Sequence, residues 1–154
     1  MLLGIDPGKS KCGWALVHHD GSLYASGIIP SHIPAEWFEA LALVGEQRIR
    51  LLQPWISEKS DFSSNEHVTS IILGAGTGSK EIKEQLENKY SHSKIVLIEE
   101  KFTTLKARNL YWNLHPPIGF RRFLPMFLLN PSRDIDDLAA WAIVLNKIET
   151  EKGE

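Results

Sequence analysis

Six carboxylates stand where this sequence could do chemistry: Asp6, Glu99, Glu100, Asp134, Asp136 and Asp137. Asp6 closes the apolar run Leu2-Leu3-Gly4-Ile5 and precedes Pro7-Gly8. A carboxylate at the C-terminal edge of a strand faces the crevice in which α/β sheets hold their ligands. The same Asp-Pro-Gly also serves as a plain turn, with Gly8 free to reverse the backbone. Glu99 and Glu100 follow the apolar stretch 94–98. Strand alternation sends them to opposite faces, so only one can share a crevice with Asp6, and spacing alone does not say which. The remaining three acids open a helix expected over 133–150. At 100° per residue, Trp141, Val144, Leu145 and Ile148 form one apolar arc; Asp134 and Asp137 fall within about 40° of its centre, and Asp136 more than about 100° away. A charge on the packed face is costly unless it is paired or holds a cation. Asp134 equally suits a capping role at the positive end of the helix dipole. A cap does not require Asp137, and Asp136 is expected to be solvated. Carboxylates from separate elements around one crevice suit a hard cation such as Mg²⁺. Two such ions, roughly 3.5–4 Å apart, activate a water and stabilise the leaving oxygen of a phosphodiester.

Elements that would position these acids are visible in the pattern. Strands are expected over 2–6, 13–18 and 23–29, the last two joined by an Asp20-Gly21 hairpin turn. A helix should begin at Pro34, with Trp37, Leu41, Val44, Ile49, Leu52 and Ile56 at helical spacing and a kink at Pro54. A polar loop over 60–66 leads to a buried strand over 68–73, then a charged amphipathic helix over 79–90 and another buried strand over 94–98. Thr103 is placed to cap a helix reaching about Trp112, which His115-Pro116-Pro117 ends. Residues 116–133 read as irregular or partly helical, with an apolar middle. Hairpins first and strand–helix alternation later imply an α/β fold with a mixed sheet, antiparallel in its first three strands and parallel in the last two.

The chain has 154 residues, 43% of them hydrophobic, which suits one domain with a real core over 1–150 and a disordered tail at 151–154. No run approaches the roughly 18 apolar residues of a membrane span, and Asp6 interrupts the apolar start as a signal peptide would not allow. Cys12 is the single cysteine, and no Cys/His spacing suggests zinc. A reducing cytoplasm is the expected compartment. The net charge of −2 excludes a protein whose main task is coating nucleic acid, because such proteins are strongly basic. Any grip on nucleic acid must be local, and the basic residues gather at Lys101, Lys106 and Arg108, and again at Arg121-Arg122.

Three segments in this order resemble a known group. Gly4-Ile5-Asp6-Pro7-Gly8 with Gly13-Trp14-Ala15 is similar to the opening strand and hairpin of RuvC-like Holliday junction resolvases. Glu99-Glu100-Lys101-Phe102-Thr103-Thr104, with Ala107-Arg108, resembles the Asp-Glu-Arg-x-Thr-Thr…Ala-Arg segment of the YqgF (RuvX) branch. Asp137-Leu138-Ala139-Ala140 resembles that branch's Asp-Ala-x-Ala-Ala helix. The resemblance implies a ribonuclease-H-like fold and a Mg²⁺- or Mn²⁺-dependent nuclease. Its substrate would be structured nucleic acid, either a Holliday junction or a ribosomal RNA precursor. By matching, Asp6, Glu100 and Asp137 carry over as catalytic metal ligands. Asp134 stands where RuvC-type enzymes have a further acid. The departures are a Gly74 where RuvC enzymes end the fourth strand with Glu, Glu99 for the branch's Asp, Lys101 for its Arg, and an unmatched stretch over 113–132.

Lys101, Thr103, Thr104, Arg108, Arg121 and Arg122 are expected to contact phosphates. Trp112 and Phe120 are expected in the core, although both could stack on bases beside Arg121-Arg122. Gly74-Ala75-Gly76-Thr77-Gly78-Ser79-Lys80 lacks P-loop order and dinucleotide spacing and reads as a structural turn. The expected partner is nucleic acid, with no membrane contact and with a homodimer as the assembly to test. A catalytically inactive nucleic-acid or protein interaction module on the same fold is the alternative. A phosphate-binding ATPase ranks last, since one chain of this length lacks the second lobe such enzymes need.

Overall fold

The computed structural model describes residues 1–90, 94–99 and 103–153. The chain opens with the expected meander of β1 (Leu2–Asp6), β2 (Lys11–Val17) and β3 (Leu23–Pro30), in which β2 runs antiparallel to both neighbours. Two short helices follow, α1 (Ala35–Ala42) and α2 (Gly45–Leu52). Sequence spacing suggested one helix kinked at Pro54, but the break comes earlier. Leu43 and Val44 are extended and Gly45 has φ +59°, a left-handed conformation that interrupts the helix. Pro54 lies in a 3-10 turn, Gln53–Trp55.

That turn feeds β4 (Ile56–Lys59), a strand the sequence did not reveal. It has four residues, one of them apolar, too little for a period-two signal. It pairs antiparallel with the outer edge of β3. β5 (Ser70–Gly74), α3 (Ser79–Lys89), β6 (Lys94–Ile98) and α4 (Thr103–Leu114) follow, and α5 (Asp136–Gly153) ends the chain. The sheet order is β4-β3-β2-β1-β5-β6, with β1, β5 and β6 parallel. This mixed six-stranded sheet flanked by helices fits a ribonuclease-H-like fold. Residues 151–153, expected in a tail, continue α5.

Alternation along the strands builds two apolar layers. Leu3, Ile5, Trp14, Leu16, Ile71 and Leu73 pack against Trp37, Leu41, Leu52, Ile82 and Leu86 from α1–α3. Leu2, Ala15, Val17 and Ile72 pack against Ala140, Ile143, Val144 and Ile148 of α5. α4 lies beside α5, where Ala107, Tyr111 and Trp112 meet Leu138 and Leu129. α5 approaches the sheet closely because β1 and β2 present glycines to it. A Cβ on Gly4 would sit 2.3 Å from the carbonyl oxygen of Ala140, and one on Gly13 would sit 1.9 Å from that of Asp136. Any side chain at either place would have to push the helix backbone away.

Candidate active site

Asp6 and Gly13 are partners across β1 and β2. Asp6 shares its strand face with Leu2 and Gly4, and that face packs on α5. Since the first turn of α5 rests on Gly13, the half-buried Asp6 stands beside the helix start. This puts a strand-end acid and two helix acids, Asp136 and Asp137, at one end of the sheet. The helix begins at Asp136, not at Arg133, so the projection placing Asp134 on the packed face does not apply. Asp134 is exposed, in the short stretch between the bend at Ser132-Arg133 and the helix.

The two helix acids diverge. Asp137 is fully buried, as its angular position required. It points towards the far strands: Ser26 Oγ on β3 donates to its Oδ2 at 2.7 Å. Arg133 donates from Nη1 to Oδ1 at 2.7 Å and from Nη2 to Oδ2 at 3.2 Å. Arg133 Nη2 also donates to Glu58 Oε1 on β4 at 2.7 Å, and His115 Nε2 meets the same oxygen at 2.6 Å. A buried carboxylate needs a cation, and here a guanidinium is that cation. Asp137, expected from the sequence to be a metal ligand, here has both oxygens held by donors of the chain itself.

Burial pushes the Glu58 carboxyl up, but hydrogen bonds from Arg133 and His115 outweigh it and hold the group below its ordinary value. Burial lowers the Arg133 guanidinium, and the bonds to Asp137 and Glu58 reverse that and raise it. Sequence reasoning missed Ser26, Glu58, His115 and Arg133. The available signal was the four-residue spacing of Arg133 and Asp137. Nothing in the local sequence links either to Glu58, some 75 residues away.

Asp136 points the other way. Lys11, at the start of β2, pairs with Asp134 and reaches Asp136 Oδ2 at 3.1 Å. Hydrogen bonds to these two acids raise the Lys11 ammonium. Burial pushes the Cys12 thiol up, a backbone hydrogen bond at Gly8 lowers it, and the negative charges of Asp6 and Asp136 raise it again. Asp136, expected to be solvated, is instead paired with Lys11 on β2. Its side chain keeps 40% exposure.

Glu100 and Lys101 lie outside the described residues. Glu99 is exposed and lines a cleft with Lys106, Asn146 and Glu149, nine or more residues along α5 from Asp137, hence about 14 Å or more at 1.5 Å per residue. Gly74 ends β5 opposite Ile98, the last residue of β6, and Ile98 packs on the α5 side. Among the described residues no three His, Cys, Asp or Glu side chains group closely enough to hold a metal ion. Asp6 and Asp136 do supply hard oxygen donors from two separate elements, the type Mg²⁺ takes.

Of the expected phosphate contacts, Thr103 is buried and Arg108 is turned inward, where it donates to the backbone oxygen of Leu129 at 2.7 Å. Lys106, not assigned to phosphate, is held by Asn146 and Glu149. Thr104, Arg121 and Arg122 are exposed. Trp112 is in the core as expected, but Phe120 is 74% exposed, because the 3-10 turn that carries it, Gly119–Phe123, stands off the body of the protein.

No protein-family model matches the chain. Over 85 residues it is 35% identical to the crossover junction endodeoxyribonuclease RuvC of Rickettsia prowazekii (strain Madrid E), a match covering 51% of this chain and 54% of that protein. The chain thus spans about half the length of the curated relative it matches.

Proposed function

We propose that this protein is a divalent-metal-dependent endonuclease that hydrolyses phosphodiester bonds in structured nucleic acid. A four-way DNA junction is the first substrate to test, on the likeness to a crossover junction endodeoxyribonuclease. A ribosomal RNA precursor is the second, on the resemblance to the YqgF branch. The observation that carries the reading is the seat of α5 on Gly13, which sets an acid-bearing helix start beside the strand-end acid Asp6.

Asp6 and Asp136 are the residues that would hold Mg²⁺ or Mn²⁺. Glu100, two residues beyond Ile98, is the proposed third, and Asp134 assists at the rim. When bound, the metal supplies Lewis-acid activation of a water and of the leaving oxygen. The chain's own residues prepare the place. Arg133, Ser26 and Glu58 hold Asp137 and so fix the first turn of α5. Lys11 neutralises Asp134 and Asp136, and an arriving cation competes with it. Arg121 and Arg122 neutralise substrate phosphates.

Asp6→Asn should abolish Mn²⁺- or Mg²⁺-stimulated cleavage of a four-way junction while leaving the thermal melt and nucleic-acid binding within error. Undiminished cleavage by that variant would sink the assignment. The Mn²⁺-induced rise in melting temperature should disappear as well, a readout that does not depend on activity.

One set of observations favours a second reading, a catalytically inactive module. Gly74 stands at the β5 end where RuvC enzymes carry an acid. Both helix acids are met by cations of the chain itself. That reading expects no melting shift with Mn²⁺ and no cleavage at high protein concentration.

A further inference from the structure

Between α4 and α5 the chain forms a ridge whose chemistry the acidic site does not use. Ile118, Phe120, Phe123 and Phe127 are each at least 74% exposed, and Leu128 is 58% exposed. Two 3-10 turns, Gly119–Phe123 and Met126–Leu128, display them. Folding leaves such an apolar surface uncovered only where something else covers it. The base of the ridge is fixed. Leu129 is buried among Ala107, Tyr111, Trp112 and Leu138, and Arg108 donates to its carbonyl. Tyr111 Oη and Ser132 Oγ are 2.8 Å apart just before α5. The ridge is therefore tied to the same helix start that carries Asp136.

Charge says what kind of partner fits. Residues 101–133 contain six of the chain's 17 lysines and arginines and no acid at all, leaving eleven bases against 19 acids elsewhere. Within the ridge, Arg122 lies over the ring of Phe123, 4.9 Å from its centroid, and Arg121 over Trp112 at 6.0 Å. Among the described residues no carboxylate pairs with either arginine. A second copy docked two-fold on this surface would bring two basic, acid-free patches together. Flat rings alternating with unneutralised guanidinium groups suit unpaired bases and their phosphates.

We propose that the ridge 118–128 is a base-stacking wedge: Phe120, Phe123 and Phe127 take up unpaired bases of a branched or looped nucleic acid, and Arg121 and Arg122 neutralise the flanking phosphates. The wedge rests on the reading of this protein as a nuclease of structured nucleic acid and gives that nuclease its preference for interrupted over continuous duplex.

The test uses full-length Asp6→Asn protein with Mg²⁺, so that substrate survives. Binding is followed by fluorescence polarisation on a four-way DNA junction, a hairpin-loop RNA and a linear DNA duplex. 2-Aminopurine at the branch or in the loop reports stacking. The combined variant Phe120→Ala, Phe123→Ala, Phe127→Ala should weaken junction and hairpin binding at least tenfold and abolish the 2-aminopurine response, with duplex affinity within twofold. Arg121→Gln with Arg122→Gln should weaken all three and flatten the salt dependence of duplex binding by about two units of slope. These side chains are exposed, so unchanged thermal melts confirm that the variants fold.

If the triple variant binds junction and hairpin within twofold of its parent, the wedge is wrong and the nuclease reading stands. If the parent binds no nucleic acid, both fall. If the triple variant instead loses binding to phosphatidylserine vesicles or loses self-association, with nucleic-acid binding unchanged, the ridge belongs to another partner and the proposal is overturned.

Discussion

The first turn of α5 and the ridge before it are neighbours in sequence and treat charge in opposite ways. At the helix, Asp137 is buried and answered by Arg133, which is answered again by Glu58 and backed by Ser26 and His115. On the ridge, Arg121 and Arg122 are exposed, and their guanidinium groups lie over aromatic rings. A charge compensated inside the chain fixes structure, because removing its partner leaves an ion without water or counter-ion. A charge left open to solvent adds little to stability and is available to a ligand. Asp136 lies between these cases, half-exposed and shared with a surface lysine.

The largest expected effect sits on the compensated side. Arg133→Met should lower unfolding free energy by about 3 kcal/mol in a urea titration, because Asp137 is then buried without a counter-ion. The triple alanine variant of the ridge should stay within about 0.5 kcal/mol of the parent in the same titration. A ridge loss as large as the Arg133 loss would erase the contrast. Gly13→Ala comes next, at about 1–3 kcal/mol, since its Cβ would meet the Asp136 backbone and α5 must lift. The variant should also blunt the Mn²⁺ melting shift.

A smaller effect is set by pH. Glu58 titrates below its ordinary value when folded, so its contribution is present above the unfolded value of about 4.3 and is lost as pH falls through the lower folded value. Melting temperature should therefore drop on acidification below about pH 4, and Glu58→Gln should reduce that drop. The smallest effect on stability belongs to Lys11→Met, under about 1 kcal/mol for a surface pair. The same change should lower the Mn²⁺ concentration at the midpoint of the melting shift, because Asp136 loses its competitor.

Much of the fold was legible because it rests on local pattern. The apolar run ending at Asp6, the Asp20-Gly21 turn and the strand over 94–98 each declare themselves within a few residues, although that last strand, expected to be buried, is the sheet edge with Leu97 50% exposed. β4 did not, since Ile56–Lys59 has a single apolar residue and becomes a strand only by lying along β3. The helix break at Gly45 hides behind an unbroken apolar rhythm, which reports side-chain position and not backbone φ. The candidate site was legible in part. Helical angles placed Asp137 inside, and burial does demand a cation, but sequence does not say whether that cation is a metal or an arginine. The arginine that meets Asp137 also meets Glu58, a contact made only by folding. Helix geometry puts Asp136 with the solvent because its helix face is polar, and the lysine at the start of β2 that meets it is invisible to that geometry.

The most direct measurement sets Asp136→Asn beside Asp137→Asn, following Mn²⁺-stimulated cleavage of a four-way junction and thermal unfolding on the same samples. Asp136→Asn should lose cleavage with its melting temperature kept, and Asp137→Asn should lose melting temperature. Full cleavage by Asp136→Asn, or lost cleavage with unchanged stability in Asp137→Asn, would contradict this division of roles.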